Sequence, residues 1–212
     1  MPTVTNGRDA RVGACWSCKG PAEAGAALCP TCGVVQPASP GIDHFARLGL
    51  PRGFAVDGPG LERAYVAAQA RFHPDRFVGR AADERRFAAG QAAAVNEAYA
   101  TLRDPLKRAR YLLALAGRAE PDGGQGTIDD PAVLMEAMET REALAAAEGP
   151  EAVAAVARRN GEALARCREA LAAAFAVADL DAAGRLTHRL AYLAKLADEV
   201  KRRRVAALGS AP

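Results

Sequence analysis

Residues 64–77 read AYVAAQARFHPDRF, an apolar stripe that runs into a proline and stops. Leu61, Tyr65, Ala68 and Phe72 recur at steps of four, three and four, which is one face of a helix with 3.6 residues per turn. Asp57-Gly58-Pro59 marks the entry, with proline in the first turn, where its missing N–H costs nothing. Pro74 marks the exit, because it cannot donate to the helical ladder and confines His73 to extended angles. Beyond it, a stretch from about Asp83 to Leu102 sets Phe87, Val95, Ala98 and Leu102 on one side of a second long helix, weakened by Gly90. The two helices are predicted to pair antiparallel, with His73 and Asp75 facing water between them.

Capping residues extend this reading in both directions. Asp43 opens a short helix in DHFARLGL that stops near Gly49 and Pro51, and Asp104 before Pro105 opens PLKRARYLLALAG, which closes at Gly117. EPDGGQ, residues 120–125, has the composition of a linker, and Asp129-Asp130-Pro131 starts another helix. Three helical blocks follow, divided by Gly149-Pro150 and by residues 179–181, and such short connections favour an antiparallel bundle. The expected fold is mainly α: a tail over 1–12, a cysteine knuckle over 13–37, a hairpin domain over 38–119, a linker over 120–129 and a three-helix bundle over 130–208.

With 28 basic and 25 acidic residues among 212, the formal charge is only +3, and no strong polyanion-binding role follows from it, so nucleic acid is not an expected partner. No apolar run approaches the ~18 residues of a membrane span, and MPTVTNGRDARVGAC lacks the apolar core of a secretory signal. No membrane partner is expected. A bacterial cytoplasm is the expected location, or the mitochondrial matrix for a processed eukaryotic chain.

The segment ACWSCKGPAEAGAALCPTCG, residues 14–33, has no helical period but carries Cys15, Cys18, Cys29 and Cys32 as C-x2-C-x10-C-x2-C. Four thiolates suit a tetrahedral soft-metal site, and so short a coreless segment needs the metal to fold. One structural metal ion is expected, with zinc first and rubredoxin-like iron chemically possible. Reduced or redox-active cysteine pairs are the alternative, although no βαβ pattern surrounds them. Trp16 either shields the sulfurs or packs locally. Cys167, alone in a helix, reads as a buried structural thiol, and His44 and His188 as capping or surface residues.

The order DHFARLGL, AYVAAQARFHPDRF, NEAYATLRDPLKRARY, from Asp43 to about Tyr111, resembles the J domain. That resemblance implies that His73, Pro74 and Asp75 form the tripeptide that stimulates ATP hydrolysis by DnaK- and HscA-type heat-shock chaperones. It also implies a basic outward face, here Arg63, Arg71 and Arg76 diluted by Ala67 and Ala70. Further along, LMEAMETREAL (Leu134–Leu144) and TLRDPLKRARYLLALAG (Thr101–Gly117) resemble the HscB (Jac-type) iron–sulfur co-chaperones.

At 100° per residue, Val133, Ala137 and Leu144 fall together while Leu134, Met135 and Met138 occupy another face beside Glu139 and Glu142. Two apolar faces imply either two packing partners or one helix sandwiched in a core. By the resemblance, Leu134, Met135 and Met138 with Glu139, Glu142 and Tyr192 bind the cluster scaffold IscU. Ala146 departs from members that carry a further acid. The function implied is a non-enzymatic co-chaperone that brings scaffold and chaperone ATPase together. The alternatives are a general J-domain protein binding other clients through its knuckle and helical domain, or a metal enzyme, for which four saturating thiolates leave no open position.

Overall fold

The computed structural model describes residues 12–118 and 131–209, and within these the chain is mainly helical with a small N-terminal sheet. It divides into two compact units, one comprising residues up to 52 with 56–103, the other residues 53–55 with 104 onward.

The first unit begins with a two-stranded antiparallel ladder, β1 (Val12–Ala14) and β2 (Pro21–Glu23), in which Gly13 faces Ala22. An isolated bridge between Leu28 and Val35 closes the second half of the knuckle. Then come α1 (His44–Arg47), α2 (Gly58–Phe72) and α3 (Ala82–Arg103). The starts of α1 and α2 are set by side-chain caps: Asp43 accepts from the Ala46 N–H at 2.8 Å and Asp57 from the Gly60 N–H at 2.9 Å, satisfying amides that have no helical partner.

Helices α2 and α3 run antiparallel. Tyr99 donates to Glu62, Tyr65 stacks on Tyr99 with centroids 4.0 Å apart, and Gln69 donates to Asn96. Leu61 and Phe72 on α2 and Ala88, Val95, Ala98 and Leu102 on α3 are buried. Burial of Leu61, Phe72, Val95 and Leu102 is worth about 1.5–3 kcal/mol each and holds the hairpin shut.

The second unit contains α4 (Pro105–Leu115), α5 (Pro131–Ala145), α6 (Gly149–Ala176) and α7 (Leu180–Gly209). Helices α6 and α7 form a long antiparallel hairpin, pinned where Asn160 donates to the Leu193 carbonyl and the Cys167 thiol to that of Leu186. Leu171, Leu190, Leu193 and Leu196 are almost wholly buried in its core, as is Cys167. Phe54, from the segment before α2, stacks on Phe175 with centroids 5.7 Å apart and lies under the Arg108 guanidinium.

Two boundaries differ from those expected. Helix α4 buries Ala109, Leu112 and Leu113 and packs against α7, so it belongs with the C-terminal helices rather than with the hairpin. The knuckle is likewise not a separate body, because it falls within the same compact unit as α1–α3. Of the expected tail over 1–12, Val12 belongs to β1, while residues 1–11, the expected linker over 120–129 and Asp130 lie outside the described residues.

Candidate functional site

The four knuckle cysteines converge although they come from two turns ten residues apart. All four Sγ atoms lie within 4.8 Å of one another, with Cys15 to Cys32 at 3.9 Å and Cys18 to Cys29 at 3.8 Å. A regular tetrahedron with metal–sulfur bonds of ~2.3 Å has edges of ~3.8 Å, so the donor set fits one four-coordinate ion. The turns aim amides at sulfur: the Ser17 N–H lies 3.4 Å from Cys15 Sγ, and the buried Gln36 amide donates to the same sulfur at 3.3 Å.

The thiols respond unequally. Burial opposes ionisation of Cys15, but hydrogen bonds from the backbone of Cys18 and Ser17 and from Gln36 outweigh it and bring its pKa down to about 6. The Cys32 N–H, working against burial, lowers that of Cys29. At Cys32 the Val34 N–H favours the thiolate, yet burial and the surrounding sulfurs of Cys18, Cys29 and Cys15 prevail, pushing it up to about 12. Packed sulfurs that cannot all ionise by themselves are what a divalent cation neutralises. Trp16 turns its N–H to the Val35 carbonyl at 2.8 Å and sets its ring edge-on to Phe87 of α3, with centroids 5.3 Å apart. It is therefore a packing residue between knuckle and hairpin.

The tripeptide occupies the turn between α2 and α3. His73 is extended at φ −60° and ψ 134°, ending α2, and Pro74–Phe77 forms a single 3-10 turn. The Asp75 N–H donates to His73 Nδ1 at 3.3 Å, which puts the proton of a neutral imidazole on Nε2. Phe77 is buried and anchors the turn, while the His73 and Asp75 side chains are 54% and 85% exposed. The loop thus has an apolar foot and a polar tip with few accessible conformers. Arg63, Arg71 and Arg76 are all exposed, as are Ala67 and Ala70 between the first two.

Helix α5 divides its two apolar faces between interior and water. Val133, Ala137 and Leu144 are buried, whereas Leu134, Met135 and Met138 are 43%, 62% and 62% exposed beside the exposed Glu139 and Glu142. The inward face is tied to α7 by polar contacts that sequence reading missed. Glu136 takes a two-pronged ion pair from Arg189 at 2.7 and 2.8 Å, and Arg203 donates to the carbonyls of Leu144, Ala145 and Ala147. With Glu136 opposite Arg189 and Leu144 opposite Arg203, α5 runs parallel to α7. Tyr192 is not on the exposed face: it is 7% exposed, its hydroxyl donates to the Ala137 carbonyl at 2.6 Å, and Arg141 lies over its ring. It holds α5 in place from beneath.

An antiparallel hairpin tipped by His-Pro-Asp, together with a helical unit bearing an exposed apolar strip, defines a J-type co-chaperone. The family comparisons make that class specific. Residues 129–201 match the family described as the HSCB C-terminal oligomerisation domain. The chain is 42% identical over 163 residues to the "Co-chaperone protein HscB homolog" of Bordetella avium, covering 74% of this chain and 95% of that one.

Among solved structures it is similar to human co-chaperone protein HscB, with a TM-score of 0.85, 30% identity and coverage of 91% of this chain and 99% of the other. It also resembles the chaperone HscB from Vibrio cholerae, with a TM-score of 0.68, 36% identity and coverage of 78% and 99%. The chain belongs to the HscB co-chaperone family. The human match leaves 9% of 212 residues uncovered, about 19, fewer than precede Cys29, so it reaches into the knuckle.

Proposed function

We propose that the protein holds an IscU-type iron–sulfur scaffold on the exposed strip of α5 and stimulates the ATPase of a DnaK/HscA-type chaperone through His73, Pro74 and Asp75. It performs no catalysis of its own. The observation that carries the reading is the division of α5: a helix that already buries Val133, Ala137 and Leu144 also exposes Leu134, Met135 and Met138 beside two carboxylates. A folded protein keeps such a strip in water when a partner is to cover it, and methionines adapt to the partner's shape.

At the other surface, the short turn has little conformational entropy left to lose on docking. Arg63, Arg71 and Arg76 add a salt-sensitive attraction to an acidic chaperone surface, modest because two alanines interrupt it. In the knuckle, Cys15, Cys18, Cys29 and Cys32 would hold a zinc ion as a structural cross-link, and four thiolate ligands would leave it no position for chemistry.

The direct test uses the full chain with purified scaffold and purified chaperone. Calorimetry is expected to show one scaffold per chain, and steady-state turnover of the chaperone is expected to rise when the protein is added. Stimulation without scaffold binding would favour the general J-protein reading, and a preference for a denatured model client over the scaffold would establish it.

A further inference from the structure

The knuckle is wired to the hairpin through two buried glutamines. Gln36 is 7% exposed and Gln91, in the middle of α3, is 3% exposed. The Gln36 side chain donates to Cys15 Sγ at 3.3 Å and to the Val34 carbonyl at 3.1 Å. The backbone carbonyl of the same residue accepts from Gln91 Nε2 at 3.0 Å. Gln91 Oε1 in turn accepts from Arg47 at 3.3 Å, and Arg47 also donates to the carbonyls of Ser39 at 2.8 Å and Ile42 at 3.4 Å. One residue therefore touches the metal-binding sulfur with its side chain and the core of the hairpin with its backbone. Beside this chain of bonds, Trp16 meets Phe87, one turn before Gln91.

We infer that Gln36 and Gln91 are positioning residues that make the metal in the knuckle a brace for the J hairpin, so that metal loss loosens α3 near Gln91 and the α1 segment through Arg47. The inference rests on the reading of the knuckle as a metal site. Its physical basis is that the sulfur end of the knuckle is packed by a small buried cluster, Cys15, Ala22 and Cys29 with Val34 against it, and the buried Val35 lies beyond. Without the ion the 15–18 and 29–32 turns lose the cross-link between their four sulfurs, and the Cys15 sulfur that anchors Gln36 is no longer fixed in place. Gln91 is then left as a buried amide with one partner gone, which costs more than the bond itself was worth. A hydrogen bond to a coordinating sulfur also helps to retain the ion, and removing such an outer contact commonly weakens metal affinity ~10–100-fold.

The test uses the full-length protein. Metal content is measured first. A chain that retains no metal when purified under reducing conditions and binds none on adding Zn2+ overturns the metal reading and this inference together. With metal present, a chelator is added while Trp16, the single tryptophan, is followed by fluorescence and amide exchange is followed in α3 and in α6. Protection around Ala88–Val95 is expected to fall at least ~10-fold on chelation and to return with Zn2+, while α6 stays unchanged. Unchanged protection in α3 after complete metal loss overturns the brace and leaves the metal site standing. Gln36→Leu, which keeps the backbone carbonyl that Gln91 uses, is expected to release metal to the chelator ~10–100 times faster. A release rate equal to that of the unaltered chain contradicts the inference, and Gln36→Glu, retaining polarity without the donor, distinguishes a lost bond from lost packing by releasing metal as fast as Gln36→Leu.

Discussion

The two surfaces proposed for docking are built by opposite means. At the tip of the hairpin, backbone constraint does the work: Pro74 and a single 3-10 turn fix polar side chains, and the one buried residue, Phe77, is an anchor. On α5 the backbone is ordinary helix, and what is unusual is the distribution of apolar side chains, three facing inward and three outward. On the proposed reading, the first surface would gain affinity by having little order left to acquire, the second by having apolar area to remove from water. Substitutions at the tip are therefore expected to affect how a partner responds, and those on α5 how tightly a partner is held.

Variants can break or sharpen that contrast. His73→Gln is expected to abolish ATPase stimulation while scaffold affinity, measured by calorimetry, stays as it was; retained stimulation removes the J-type assignment. Replacing Leu134, Met135 and Met138 together by Ala is expected to weaken scaffold binding by about 3–6 kcal/mol, or ~10²–10⁴-fold in Kd. The same triple change is expected to move folding stability by less than ~0.5 kcal/mol per site, since exposed side chains lose little on truncation.

On the inward side of the same helix, Leu144→Ala is expected to cost about 2–5 kcal/mol in denaturant unfolding. Equal destabilisation by the inward and outward sets would mean that α5 has no free face. Arg189→Ala removes a half-exposed pair with Glu136 and is expected to cost about 1 kcal/mol, read in the same unfolding experiment.

The smallest effect is a pH dependence in the first unit. Burial lowers the His44 pKa from its usual 6.5, outweighing Glu97 and Asp43, which favour the charged ring, and reinforced by Arg47. As pH falls through ~6.5 the unfolded chain takes the proton first, so stability present at higher pH declines and then levels off below the folded-state value. Urea midpoints at pH 7.5 and 5.5 are expected to differ less in His44→Gln than in the unaltered chain. An undiminished difference would assign the slope to other groups.

Local chemistry made much of this architecture legible. Asp57 ahead of Gly58-Pro59 and Asp104 ahead of Pro105 announced helix starts because capping is a property of neighbouring residues, and the four cysteines announced their site because ligand spacing is too. Partnership across the chain was harder to read. The stripe of α4 shows that Ala109, Leu112 and Leu113 are buried, yet nothing in its period says that α7 covers them.

Glu136 and Arg189 stand 53 positions apart, and no local rule pairs them. The resemblance counts Tyr192, on the last helix, among the scaffold-binding residues, and its place beneath Ala137 follows from the packing of α5 on α7. The β1–β2 ladder escaped because three-residue strands leave no alternation to detect.

The central claim is that one chain joins two independent surfaces, and chaperone turnover measured while scaffold is titrated tests it most directly. With the protein present, scaffold is expected to raise the ATPase rate above the sum of what scaffold and protein each achieve alone, and the triple alanine variant of α5 is expected to lose that excess while keeping its own stimulation. Additive rates in the unaltered chain, or an excess that survives loss of Leu134, Met135 and Met138, would contradict the account.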